Sequence, residues 1–60
     1  MVTAVMTTTD GKIRVYLYED QTAEVSDERG VLLHGRAPLY KIGRILADEY
    51  GVTSSDLVRA

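Results

Sequence analysis

Sixty residues, with 7 lysines and arginines against 9 aspartates and glutamates, make one small domain of a size that buries only about 60% of its unfolded surface. The chain has no cysteine, which excludes disulfides and thiolate metal sites, favours the cytoplasm over a secreted setting, and leaves self-association as the simplest added stabiliser, so a homodimer is expected. A net charge of −2 argues against non-specific nucleic-acid binding as the main activity, and no run approaches the roughly 20 apolar residues of a membrane span or carries the basic flank of a signal peptide.

From Val2 to Thr9 the chain is rich in Val, Thr and Met without helical spacing, which predicts a first strand. Asp10-Gly11 then reads as a type I′ hairpin turn. Over Lys12 to Tyr18 the residues alternate: Ile13, Val15 and Leu17 point one way, and Arg14, Tyr16 and Tyr18 the other. A polar turn at Glu19-Asp20-Gln21 leads into a third strand, Thr22 to Ser26. Asp27-Glu28-Arg29-Gly30 has the composition of a type I turn with a glycine bulge, returning the chain into Val31 to His34. Gly35 to Ala37 reads as a break.

The last third, Pro38 to Ala60, is expected to be two helices joined by a tight turn. Leu39, Ile42, Ile45, Leu46 and Tyr50 recur at three- and four-residue spacing as one apolar stripe. Pro38 suits a first helical position, and Gly51 suits a left-handed C-terminal cap. Thr53 and Asp56 form an approximate capping box for a short second helix. The predicted class is therefore α+β: residues 1–35 form an antiparallel meander of three to four strands, and residues 38–60 a long helix and a short C-terminal helix. Ile13, Val15, Leu17, Val25 and one or two of Val31 to Leu33 should pack against Leu39, Ile42, Leu46 and Tyr50.

Charge is segregated. Glu19 to Glu28 holds five acids and no base, whereas Arg36 to Ala47 holds three bases and no acid. Catalysis finds little support: His34 is the one histidine, the serines fall in turn or cap contexts, no glycine-rich phosphate loop is present, and the acid pairs Asp27/Glu28 and Asp48/Glu49 fall on surface positions. No enzyme activity, cofactor, metal or small-molecule substrate is expected.

Leu46 to Ala60, with Ala47 as the small residue, Gly51 in the turn, Val52 after it and Leu57 and Ala60 facing inward, resembles the helix-turn-helix signature of bacterial DNA-binding proteins. That resemblance implies a regulator in which Ser54, Ser55 and Arg59 reach base edges while Arg36, Lys41 and Arg44 hold phosphates; Asp56, near the same surface, would repel them. The same residues are also similar to the helical segment of the small N-terminal domain of bacterial translation initiation factor two. Three strands followed by a helix resemble, in outline, the arm-binding domains of phage integrases, which implies Arg14, Tyr16 and Tyr18 as readers on the sheet.

A protein partner is the alternative to DNA. Arg14, Tyr16 and Tyr18 would then be an interface on the open sheet face. Tyr40, Gly43 and Ala47 form a second helix face whose small residues leave room for another backbone, an isologous dimer seam if the partner is a second copy.

Overall fold

A computed structural model describes all 60 residues. Five strands, β1 (Val2–Thr8), β2 (Ile13–Tyr18), β3 (Thr22–Asp27), β4 (Leu32–Pro38) and β5 (Leu57–Arg59), and one helix, α1 (Leu39–Tyr50), form the chain. All pairings are antiparallel, in the order β4-β3-β2-β1-β5. The α+β class is as the sequence predicts, with a fifth strand added. β4 and β5 lie at opposite edges and run the same way, so the chain must cross the sheet between them. α1 makes that crossing and covers one face.

The three meander turns share one design. Gly11, Gln21 and Gly30 each donate their N–H to the carbonyl three residues earlier, Thr8, Tyr18 and Asp27, and each has positive φ, at 74°, 63° and 84°. This is the type I turn with a left-handed closing residue. The Asp27 turn is as predicted. Asp10-Gly11 is not type I′, because positive φ falls on Gly11 and not on Asp10. Asp10 serves the turn through its side chain instead: its carboxylate accepts from Thr8 Oγ1 (2.6 Å) and from the Lys12 N–H (3.0 Å). These bonds hold its carboxyl below the ordinary value of 3.8, the Thr8 hydroxyl acting most. Asp20 repeats the arrangement with Thr22, again with its pKa lowered chiefly by the threonine hydroxyl and further by Arg36.

The core is Val15, Ala23, Val25, Ile42 and Leu46, flanked by half-buried Met6, Ile13, Leu17, Ala37, Val52 and Leu57. The sequence places Leu39, Tyr50 and one or two of Val31 to Leu33 inside, whereas Val31, Leu32, Leu33, Leu39 and Tyr50 are all exposed. For Leu32 and Leu33 the reason is β4 itself. It runs through Gly35 to Ala37, where a break was predicted, and its register to β3 slips twice, once between Ala23 and Val25 and again between Val25 and Ser26. Such bulges bend a free edge strand away from further pairing. Pro38 closes β4 and stands just before α1 (φ −53°, ψ 142°), one position earlier than predicted.

Past α1 the expectation fails. Gly51 does cap the helix in the left-handed conformation (φ 65°), but no second helix follows. Ser54–Asp56 is a single 3-10 turn, and Leu57–Arg59 is strand β5, with Leu57 opposite Thr8 and Arg59 opposite Met6. Asp56 does accept the Thr53 N–H at 2.9 Å. The Thr53/Asp56 capping bonds are present, but the residues beyond them have a β1 edge within reach, and pairing with that edge satisfies more backbone than one isolated helical turn would.

Candidate functional site

Without a second helix there is no helix-turn-helix, and the resemblance over Leu46 to Ala60 is overturned. Its phosphate and base contacts are dispersed accordingly. Arg36 lies in β4 and Arg59 in β5, opposite edges of a five-stranded sheet, which at about 4.8 Å per strand spacing puts them roughly 19 Å apart. Ser54 and Ser55 lie in the 3-10 turn, and Lys41 and Arg44 on the solvent side of α1.

Arg14, Tyr16 and Tyr18 do share one face, the one α1 leaves open. In register across it, Val5, Tyr16 and Glu24 form one row, and Thr7, Arg14 and Ser26 another. Much of this face is satisfied internally. The Tyr18 hydroxyl donates to Glu24, which raises the Tyr18 pKa above its usual 10.0. Arg36 stacks over the Tyr18 ring at 3.8 Å from its centroid, donates from Nε to Thr22 Oγ1 (2.7 Å) and pairs with Asp20 (2.9 Å). Two of its five N–H donors are engaged in this way, and the Asp20 carboxylate offsets its charge. Ser26, 4% exposed, has a hydroxyl without a partner.

The other face carries the most apolar opening. α1 packs mainly against β3 and β4, so the apolar surface of β1 and β2 is only partly covered. The result is a groove of about 320 Å³, floored by Met6, Val15 and Leu17 and walled by Leu39, Ile42, Gly43 and Leu46 of α1 and by Val52, Thr53, Ser54 and Leu57. Gly43 lines it without filling it: a Cβ built there would have no atom within 4 Å. Of the predicted Tyr40/Gly43/Ala47 face, Tyr40 and Ala47 look to solvent, and Gly43 belongs to the groove. Met6, Val52 and Leu57 were not anticipated as a site. Their signal was a glycine between Leu39 and Leu46 in the middle of an otherwise regular apolar stripe.

On the solvent side of α1, Tyr40, Lys41, Arg44, Ile45, Asp48 and Glu49 surround a shallow depression. The charges run against the helix dipole. Lys41 is in the first turn, Asp48 and Glu49 are in the last, no acid occupies the first turn and no base the last, an order that disfavours the isolated helix by about 0.3–1 kcal/mol per charge. The two ion pairs of the chain, Met1 amine to Glu19 and Arg36 to Asp20, involve none of Lys41, Arg44, Asp48 and Glu49.

No helix is long and apolar enough to cross a membrane. Comparison of the chain with protein-family models, curated proteins and solved structures finds no match.

Proposed function

We propose that the chain is a non-enzymatic, cytoplasmic protein-binding module that receives apolar side chains of a partner protein in the groove between α1 and β1–β2. The observation that carries this reading is the open wall at Gly43. A glycine in a helix interior sacrifices up to about 1 kcal/mol relative to alanine, and here no internal contact of the chain requires it. The groove volume of about 320 Å³ is roughly twice that of an apolar cavity of about 150 Å³ that accepts benzene, which suits one or two side chains of leucine or phenylalanine size.

The polar inventory favours a peptide segment over a polar small molecule. Small-molecule sites combine apolar walls with several polar groups converging on the ligand. Here the polar lining is Thr53 and Ser54, and the Thr53 hydroxyl is already engaged with Ser55 and Asp56. Catalysis gains no support from His34, whose Nδ1 donates to the carbonyl oxygen of Gly35 at 2.8 Å. DNA binding through the sheet is disfavoured because Glu24 sits in the row of Tyr16 and the Asp20 carboxylate offsets the charge of Arg36.

The test is selection from a random peptide display library on the immobilised chain, followed by titration of an enriched peptide against wild type and Gly43→Met. Enriched peptides sharing apolar residues at a fixed spacing, with binding abolished by Gly43→Met, are expected. Enriched peptides that bind the variant equally well would defeat the groove reading.

A further inference from the structure

We propose that a second copy of this chain docks antiparallel on the solvent side of α1, with a two-fold axis at Ile45. The charge order along the helix is self-complementary. At 1.5 Å rise per residue, Lys41 lies about 6 Å before Ile45 and Glu49 about 6 Å after it. A two-fold axis through Ile45 therefore brings Lys41 level with Glu49 of the partner subunit, and Glu49 level with the partner subunit's Lys41. Arg44 and Asp48 are close enough to the axis to pair in the same way, and the two Ile45 side chains meet at the centre. Tyr40, 74% exposed, comes level with Tyr50 of the partner subunit.

Three observations point the same way. Lys41, Arg44, Asp48 and Glu49 make no ion pair within the chain. Their order opposes their own helix dipole, so the isolated subunit gains nothing from it, whereas an antiparallel neighbour opposes both dipoles and charge orders. The same residues rim a depression with half-buried Ile45 in it, the arrangement an isologous contact requires. This face is separate from the groove at Gly43, so either proposal stands or falls without the other.

A contact of one helix per subunit is small, so the dimer should be weak and salt-sensitive. The experiment is sedimentation equilibrium of wild type, Lys41→Glu, Glu49→Lys, the double variant and an equimolar mixture of the two single variants. Each single substitution puts like charges level across the axis and should weaken association by at least about tenfold. The mixture should restore it, because each subunit then meets the opposite charge, and so should the double variant. Thermal melts of dilute samples separate this from loss of fold: both single substitutions improve the match to the helix dipole and should raise the melting temperature of the monomer. Stabilised monomers that associate only when mixed are the expected result. A wild type that stays monomeric to about 1 mM, the upper end of weak association, or single variants that associate as well as wild type alone, would overturn the proposal.

Discussion

Replacing Gly43 with alanine should raise stability, an unusual outcome for a substitution beside a core of five residues. Gly43 is the fifth residue of the 12-residue α1 and does not have positive φ, so alanine adopts its conformation without strain, and its Cβ would have no atom within 4 Å. The gain is then the intrinsic difference between the two residues in a helix interior, about 0.8–1.0 kcal/mol, part of it through the reduced entropy of the unfolded chain. An unfolding entropy of about 2.1 cal/mol/K per residue amounts to roughly 0.13 kcal/mol/K for this chain, so the midpoint should rise by about 6–8 °C. Circular dichroism melts and urea titrations of both proteins read this directly, with an unchanged urea slope. An unchanged or lowered midpoint would mean that α1 lies closer to β1 and β2 than described, and that the groove is closed.

Leu46→Ala, at a site 3% exposed, should lower stability by about 2–5 kcal/mol, enough to unfold so small a domain at room temperature, as a urea titration would reveal. Ser26→Ala should be neutral or stabilising in the same assay, since it removes a buried hydroxyl that has no partner and deprives no donor or acceptor of its bond. Acid should destabilise the fold: the carboxyls of Asp10 and Asp20 are lowered from 3.8, so their contribution is present above that value and is lost as pH falls through the folded values. Tyr18 is raised from 10.0, so its contribution is present below pH 10 and is lost as pH rises through the folded value; melts across the pH range test both signs. Arg36→Ala should move the Asp20 carboxyl back toward 3.8, measurable by NMR titration.

The meander was legible because its signals are local. Alternation over Ile13 to Tyr18 sorts the two sheet faces, and Asp27 and Gly30 define a turn whose bonds all fall within five residues. The end of the chain was not, because Leu57-Val58-Arg59 is too short to carry a period and takes its conformation from β1, some 50 residues away in sequence. Thr53 and Asp56 fit a helix start and a 3-10 turn equally well. Apolar spacing along α1 identified the buried Ile42 and Leu46 correctly. It could not foresee that the helix would sit toward β3 and β4, leaving Leu39 and Tyr50 at the margin and Gly43 over a groove. Position across a sheet depends on how the crossover from β4 to β5 is packed, which no helical stripe records.

The proposed partner would bind in the groove and not on the open sheet face. Both faces carry methyl groups: Met6, Leu17, Leu39, Val52 and Leu57 report on the groove, whereas Val5 and Val58 flank Tyr16 and Thr7 on the open face. A methyl-labelled NMR titration with a display-selected peptide compares them in one sample. Shifts confined to the groove methyls, and absent when Gly43→Met is titrated, are expected. Shifts at Val5 and Val58 with the groove methyls unmoved would contradict binding in the groove.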